Sequence, residues 1–302
     1  MGIHKFLSAC AIFLVLSSVY GAAEADVFAS PDKIVSTRLS DGVTVWQYEY
    51  SNLYGGPQVI SLAAADLNDP SVEIGIGVCD DKTRMTVSKM AERDNALVAV
   101  NFGYFNMVDP SSPAGALKRN GEVADSGAVG GGTGGLIGFT GNAVTFYKNG
   151  DDAVNNCENF RAGFPLLVWN GEIYDGIGTY DHIPGRHNRT AIGVTADNVL
   201  YLVTFDGRAQ GHASGVSCYN LADFMQRIGC VFAINMDGGG STTMWTSESG
   251  VFNYPSDNRK FDHEGERRVY DIFYVRDKAS AGQDATAGES EPAPAAPAAD
   301  AA

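Results

Sequence analysis

One segment, Cys230 to Trp245, constrains the fold and the function of this chain more than any other. It reads C-V-F-A-I-N-M-D-G-G-G-S-T-T-M-W, an apolar run typical of a buried strand followed by an abrupt polar bend. Three consecutive glycines add nothing to packing and cost backbone entropy, so they indicate positive φ angles or the close approach of another group. A bend that places Asp237 beside free N–H groups and hydroxyls favours an anionic or sugar-like ligand. The alternative is an ordinary glycine-rich turn between two strands.

A second segment repeats this arrangement. The apolar run Ala96 to Val100 ends in Asn101, and the glycine-containing sequence F-G-Y-F follows. The strand before the triple glycine likewise ends in Asn235. Two such strand ends bring two amide side chains to one sheet edge, unless each Asn merely caps its own turn.

A predicted hairpin supplies two arginines. Arg189 begins one apolar strand, and the partner strand, Val199 to Phe205, is followed by D-G-R. A two-residue connection joins the strands, so they should pair antiparallel. Arg189 is then a neighbour of Asp206 and Arg208, in a ligand site or in a surface salt bridge of little energetic weight.

The remaining patterns indicate the fold class. Alternating or apolar runs predict further strands, and apolar spacing of 3–4 residues predicts two helices, the second begun by Ser217 and ended by Gly229. These elements predict an α/β (α+β) fold with a mixed, largely antiparallel β-sheet core and a few packed helices. The strands are Val43–Tyr50, Val59–Ala64, Val72–Val78, Val144–Tyr147 and Phe164–Trp169, and the first helix is Thr86–Asp94.

Both ends of the chain differ in composition from the middle. An apolar run from Phe6 to Val19 followed by small residues predicts a secretory signal peptide at 1–25, and hence a secreted or periplasmic protein. Residues 278–302, rich in Ala and Pro, are predicted to be a disordered tail. Between them we predict an N-terminal β-rich part at 26–82 and the main domain at 83–277. No other segment predicts a membrane span.

The net charge argues against one class of binding partner, and the cysteine positions argue against one disulfide. The formal net charge is −15 and no basic stripe occurs, which argues against nucleic acid as a partner. Oligomeric state stays open. An exported protein can pair its cysteines, but the predicted helix sets Cys218 and Cys230 too far apart for a bridge. The connectivity among Cys79, Cys157, Cys218 and Cys230 otherwise stays open.

Six segments, in order, resemble the phosphodiester glycosidase family. The resemblance covers roughly residues 87–275, with Thr242 where the family more often has Ser and Asn220 where an acidic residue is expected. It implies a mixed α/β sheet fold and cleavage of a sugar-1-phosphodiester on the sugar side, which yields free sugar, such as an N-acetylhexosamine, and a phosphomonoester. The segments are Asn101–Phe105, Arg189–Gly193, Asp206–Arg208, Leu221–Ala222, Asn235–Met244 and Glu266–Arg267.

That chemistry needs a stabilised oxocarbenium-like sugar, an activated water or nucleophile, and a receptor for phosphate. The candidate catalytic residues are Asp237, Asp206 and Asn235, with Asp237 preferred as base or nucleophile because its strand fixes its position. Arginines form bidentate contacts with phosphate, backbone N–H groups extend the cradle, and the asparagines orient sugar hydroxyls. The candidate substrate-binding residues are Asn101, Phe105, Arg189, Thr190, Arg208, Gly238, Gly239, Gly240, Ser241, Thr242 and Arg267.

Two other functions remain open from the sequence. In a metal-dependent phosphodiesterase, Asp206, Asp237 and asparagine side chains would ligate Ca²⁺ or Mg²⁺ as hard oxygen donors. In a non-catalytic envelope protein, the same residues would bind polysaccharide without turnover. The glycosidase hypothesis itself requires no cofactor, and it leaves open the sugar, the group that carries the phosphate and the stereochemical outcome.

Overall fold

A computed structural model describes residues 30–79, 83–109, 112–125, 127, 134–149, 151–178, 180 and 182–281. The predicted signal peptide lies outside these residues, and so does the predicted tail (278–302) from residue 282 onward, whereas its first four residues form a short helix. The described strands are β1 (Lys33–Ser40), β2 (Val43–Tyr50), β3 (Gln58–Asp66), β4 (Val72–Val78), β5 (Val98–Asn101), β6 (Leu117–Arg119), β7 (Glu122–Asp125), β8 (Gly135–Thr140), β9 (Ala143–Lys148), β10 (Asn159–Gly163), β11 (Leu166–Trp169), β12 (Glu172–Ile173), β13 (Arg189–Thr195), β14 (Val199–Phe205), β15 (Cys230–Asn235), β16 (Met244–Thr246), β17 (Gly250–Val251) and β18 (Asp271–Asp277). The α-helices are α1 (Val87–Arg93), α2 (Cys218–Arg227) and α3 (Lys278–Ala281).

The strands form three antiparallel sheets. The first sheet has the order β1-β2-β3-β14-β13-β15-β11-β12, the second β17-β16-β5-β18-β4, and the third β7-β6-β10-β8-β9. The predicted α/β (α+β) class with a mixed sheet and a few packed helices is therefore wrong, because the described chain is mostly antiparallel β-sheet. Among the described residues, only α1 and α2 are α-helices of more than four residues. The sequence patterns missed strands such as β1, β6 and β7, whose exposed side chains break the apolar alternation.

The middle strands of the first sheet are buried on both faces. Along β14, Leu200 and Leu202 enter the core shared with the second sheet, whereas Tyr201, Val203 and Phe205 point to the opposite core. That opposite core includes the apolar stripe of α2, as its spacing predicted. Helix α1 packs on the first core, and Thr86 caps its N-terminus. In the described residues, α2 therefore packs on one face of the first sheet and the second sheet packs on the other, with α1 against the second sheet.

Several predicted local features are confirmed. Strands β13 and β14 pair as a hairpin with Arg189 opposite Phe205, and Asn198 in its turn has φ +62°. Ser217 caps α2, and no disulfide joins Cys218 to Cys230, as their spacing predicted. Among the described residues, no helix is long and apolar enough to cross a membrane.

Candidate active site

The triple-glycine bend lies where the first two sheets meet. After β15, the amide of Met236 donates to the Thr190 carbonyl (2.8 Å) on β13, and the amide of Asp237 donates to the Phe102 carbonyl (3.0 Å) after β5. The chain then makes one 3₁₀ turn in which Gly239 has φ +63°, a conformation that favours glycine. Two sheets therefore fix the backbone on either side of the Asp237 carboxyl group.

The side chain of Asn101 joins these two sheets. Its Oδ1 accepts from the Thr190 hydroxyl (2.7 Å) and from the Thr243 amide (3.1 Å), and its Nδ2 donates to the Asp237 carbonyl (2.6 Å). The residue is 1% exposed. Asn101 and Thr190 thus hold the bend in place, and the hydrogen bonds of this amide leave little capacity for a sugar hydroxyl.

Asn235 faces Tyr104 on the other side of the bend. Its Nδ2 donates to the Phe164 carbonyl (2.6 Å), the Met236 carbonyl (2.8 Å) and the Tyr104 phenol (3.2 Å). Its Oδ1 is buried and has no partner among the described residues. The two strand-end asparagines therefore belong to different sheets, and only Asn235 keeps an unused acceptor.

Asp237 is partly exposed as a residue, and its neighbours shift the pKa of its carboxyl group. Burial raises its pKa to about 6, and hydrogen bonds from Ser241 and from the Gly238 amide (2.9 Å) oppose that rise. The charge of Arg267 also lowers the pKa, whereas Asp271 raises it. A carboxylate with such a pKa is ionised at neutral pH and still accepts a proton readily.

Two arginines flank the glycines. A Cβ atom at Gly239 would lie 2.8 Å from Arg208 Nη2, and one at Gly240 would collide with the Arg267 guanidinium. Asp257 Oδ1 holds Arg267 through Nε (3.1 Å) and Nη2 (2.6 Å). Arg208 is exposed, has φ +57°, and has no hydrogen-bond acceptor among the described residues. The glycines thus allow two guanidinium groups to approach the bend, and Arg208 is free to bind an anion.

Arg189 has a different environment. Its Nη2 donates to the carbonyls of His182 and Gly185 (2.9 Å to the latter), and its Nε donates to the Val216 carbonyl (3.1 Å). The residue is 4% exposed. Arg189 therefore fastens the loop that precedes β13, and its predicted contact with phosphate stays a prediction.

The backbone amides of the bend are mostly used within the protein. Of the five from Gly238 to Thr242, only the amide of Gly240 lacks an acceptor among the described residues, so the bend offers one free N–H group where a row was predicted. The acceptors are the Asp237 carboxylate for Gly238, the Asn188 carbonyl for Gly239, and carbonyls within the bend for Ser241 and Thr242.

Asp206 is buried away from solvent. It is 1% exposed, and it accepts from Asn253 Nδ2 (2.8 Å) and from the Tyr254 amide (3.1 Å). Burial raises its pKa to about 7, and these two hydrogen bonds oppose the rise. Asn253 also donates to the Thr242 carbonyl (3.2 Å). Asp206 therefore holds Asn253, which in turn holds the end of the bend at Thr242.

The structure adds one residue, His187, that the sequence patterns missed. His187 lies near Arg189, Arg208 and His182. Burial is the largest cause that lowers the pKa of His187, and the charges of these three residues lower it further. Its only signal in the sequence is its place just before β13. Phe105, a predicted substrate-binding residue, is buried and lies 5.1 Å under the Arg84 guanidinium.

A Ca²⁺ or Mg²⁺ ion needs several oxygen ligands around one point. No group of three His, Cys, Asp or Glu side chains converges within the described part of the chain. The oxygens of Asp206 already accept two protein hydrogen bonds. A Ca²⁺ or Mg²⁺ site formed by Asp206, Asp237 and asparagine oxygens stays a prediction, and we derive no step through a metal.

Comparisons with known proteins show which family the chain resembles. Residues 94–276 match the family model "Phosphodiester glycosidase". The N-acetylglucosamine-1-phosphodiester alpha-N-acetylglucosaminidase of Bos taurus is 28% identical over 200 residues, which cover 61% of this chain and only 37% of the bovine protein. This chain thus spans well under half the length of that relative.

Two solved structures share the fold. The catalytic domain of the zebrafish N-acetylglucosamine-1-phosphodiester alpha-N-acetylglucosaminidase superposes with a TM-score of 0.61 at 20% identity, over 84% of this chain and 87% of that one. A putative exported protein of Burkholderia pseudomallei gives a TM-score of 0.64 at 15% identity, over 83% and 98%. Since the family model covers more than half of its residues, the chain belongs to the phosphodiester glycosidase family.

Proposed function

We propose that this protein hydrolyses a sugar-1-phosphodiester at the bond between the anomeric carbon and the phosphate oxygen. The observation that carries the proposal is the ionisable Asp237 at a bend that two arginines, Arg208 and Arg267, flank at close range. Guanidinium groups neutralise a phosphate in bidentate geometry, and a carboxylate assists attack at an anomeric carbon.

The proposed reaction divides the work between these groups. The sugar C–O bond breaks and its electron pair leaves with the phosphate, while a new bond forms to the anomeric carbon. That bond comes from a water that Asp237 deprotonates, or from Asp237 itself, in which case a water then cleaves the glycosyl ester and regenerates the carboxylate. A phosphomonoester has a second pKa of about 6, so it leaves far more readily than a sugar alkoxide. Arg208 and Arg267 stabilise the charge that develops on it.

We further propose that the natural substrate is an N-acetylhexosamine-1-phosphate diester, on a glycan or a small molecule, met outside the cytoplasm. The family and the bovine relative support the sugar-phosphate chemistry. The apolar N-terminal run supports export. N-terminal sequencing of the protein released by a secreting host tests the export step, since a cleaved signal would remove residues 1–25.

Hydrolysis in ¹⁸O-labelled water tests the bond that breaks. With a methyl diester of N-acetylglucosamine 1-phosphate, the label should enter the sugar and not the phosphate. Asp237→Asn should lower kcat by at least ~10³-fold while circular dichroism stays native, because the amide neither attacks nor accepts a proton. Label in the phosphate, or full activity of Asp237→Asn, would contradict the proposal. Loss of activity in EDTA, with phosphate labelling, would instead indicate the metal-dependent phosphodiesterase.

A further inference from the structure

The third sheet carries none of the residues proposed for the reaction, but one of its side chains reaches the segment beside the bend. Arg161 lies on β10 and pairs with Asp271, on β18 of the second sheet (2.7 Å). Both side chains are 0% exposed. Asp271 Oδ1 also accepts from the Gly103 amide (2.8 Å), just after β5. This ion pair therefore joins the third sheet, the second sheet and the chain that leaves β5.

The rest of the Arg161 guanidinium binds backbone carbonyls. Nη2 donates to the Tyr104 carbonyl, and Nη1 donates to the carbonyls of Ala114 (3.1 Å) and Gly115 (2.7 Å). A Cβ atom at Gly103 would overlap the guanidinium, so a glycine is needed where the chain passes it. Arg161 thus holds both ends of the loop between β5 and β6.

Stability alone is a weak reason for a fully buried arginine at this position. Replacing a buried ion pair by apolar residues of similar volume is often neutral or stabilising. What a guanidinium adds is geometry, because its rigid planar fork bonds several acceptors in one fixed arrangement. The function of Arg161 therefore depends on what the segment that it holds does in turn.

The segment that Arg161 holds is in contact with the bend. The Phe102 carbonyl accepts from the Asp237 amide (3.0 Å). The Tyr104 phenol lies 3.3 Å from the carbonyl of Met236, the residue before Asp237. The peptide group that joins Met236 to Asp237 is thus held at its nitrogen by Phe102 and at its oxygen by Tyr104.

We propose that Arg161 is a positioning residue for Asp237. By fixing residues 102–104, it fixes the peptide group that leads into Asp237. The contact on the other side, from the Met236 amide to the Thr190 carbonyl (2.8 Å), belongs to the first sheet and does not involve Arg161. The consequence for turnover rests on the hydrolysis proposed above, whereas the consequence for the backbone does not.

Amide hydrogen exchange, followed by NMR on the full chain, tests the effect on the backbone. Arg161→Lys keeps the charge opposite Asp271 but removes the planar fork. The Asp237 amide should then exchange at least ~10-fold faster relative to the Met236 amide than it does in wild type, because local opening exposes only the first of them. The Met236 amide is the internal reference, since a general loss of stability accelerates both. Gly103→Ala, which presses one methyl group against the guanidinium and changes no charge, should raise the same ratio, and it replaces Arg161→Lys if that variant does not fold.

Turnover of the methyl diester tests the effect on the reaction. Arg161→Lys should lower kcat at least ~10-fold, because a small displacement of a reacting group costs up to about 100-fold. KM should change less than about twofold, because Arg208 and Arg267 reach the bend from other segments. Arg119→Lys is the matched control, because Arg119 also lies in the third sheet and bonds a carbonyl of the second sheet, that of Ile76 on the edge strand β4 (2.8 Å). It should change neither kcat nor the exchange ratio.

The outcomes separate this proposal from the proposed hydrolysis. An exchange ratio that stays at the wild-type value in both Arg161→Lys and Gly103→Ala would overturn the role of Arg161, and so would an equal rise in Arg119→Lys. A raised ratio with wild-type kcat would overturn it as well, because the backbone would then move without consequence for the reaction. If the wild-type protein leaves the diester intact, the proposed hydrolysis fails, and the exchange ratio alone decides whether Arg161 holds Asp237.

Discussion

Asp237 and Asp206 are both aspartates whose pKa is raised by burial, and their surroundings give them different roles. Asp237 is partly exposed at a bend with two flanking arginines. Asp206 is closed off and accepts two hydrogen bonds from the chain behind the bend. A reacting group must reach the substrate, so accessibility favours Asp237 over Asp206 for the proposed chemistry.

The pH dependence of turnover should report on Asp237. A base or nucleophile works as the carboxylate, so kcat/KM should rise with pH through an apparent pKa of about 6 and level off above it. Removing the charge of Arg267, as in Arg267→Gln, should move this limb to higher pH because that charge lowers the pKa of Asp237. Initial rates from pH 4.5 to 8 measure both, and a pH-independent rate would contradict the assignment.

Arg208 should bind the phosphate group. Its guanidinium is exposed and has no acceptor among the described residues, so Arg208→Ala should leave the melting temperature nearly unchanged. A lost charge-assisted hydrogen bond costs about 1.5–3 kcal/mol, so the affinity for a phosphomonoester product should fall ~10- to 100-fold in calorimetry. Arg186→Ala, an exposed arginine bonded to the Tyr54 carbonyl, is the matched control. Equal affinities in Arg208→Ala and wild type would remove Arg208 from the site.

The residue types near the bend could be predicted from the sequence, but the hydrogen-bond partners of their side chains could not. The D-G-G-G pattern indicates a carboxylate at a bend that other groups approach, and two arginines do approach it. Whether Arg189 is available, however, depends on the Val216 carbonyl, 27 residues away in sequence. The buried ion pair of Arg161 and Asp271 (2.7 Å) has no local pattern at all, because its partners lie on different sheets.

At the scale of elements, Asn101 is the joint between the first and second sheets. Asn101→Ala removes three hydrogen bonds and leaves buried polar groups without partners, each at a cost of about 1–3 kcal/mol. The free energy of unfolding should therefore fall by about 2–4 kcal/mol, and turnover should fall with it because the Asp237 carbonyl loses its anchor. Urea unfolding measures the first effect.

A control variant tests whether the effect of Asn101→Ala depends on the position of this amide or follows from the loss of any hydrogen-bonded amide. Asn142→Ala removes an amide that also bonds two carbonyls, those of Leu67 and Val72, but is half-buried and distant from the bend. It should cost less stability and leave turnover unchanged. If Asn101→Ala keeps wild-type turnover in its folded state, Asn101 does not position the bend.

Long apolar strands could be predicted and short edge strands could not. Strands β2, β13, β14 and β15 contain enough alternation or apolar length to be recognised alone. The two-residue strands β12 and β17 exist only through pairing with a neighbour, which local patterns do not contain. The helical patterns were correct for α1 and α2. The fold class, however, depends on how many strands pair into sheets, and the helical patterns do not contain that number.

At the scale of the whole molecule, buried aspartates couple folding to pH. Burial raises the pKa of Asp206, Asp237 and Asp271. In each case the folded state binds protons more tightly than the unfolded chain does. Stability from such a group is present below the unfolded pKa of 3.8 and is lost as pH rises through the folded pKa, about 7 for Asp206.

Asp206 offers the clearest test, since it lies outside the proposed chemistry. Between pH 4 and 7, one proton bound only by the folded state makes the free energy of unfolding fall by up to about 1.4 kcal/mol per pH unit. Asp206→Asn and Asp206→Ala cannot titrate, so their stability should fall less steeply with pH than that of wild type. Urea unfolding at pH 4.5, 5.5, 6.5 and 7.5 gives the difference directly and cancels the titration of all other carboxylates. Parallel profiles for wild type and both variants would show that Asp206 keeps its ordinary pKa, and the carboxylate would then be stabilised by its two hydrogen bonds despite complete burial.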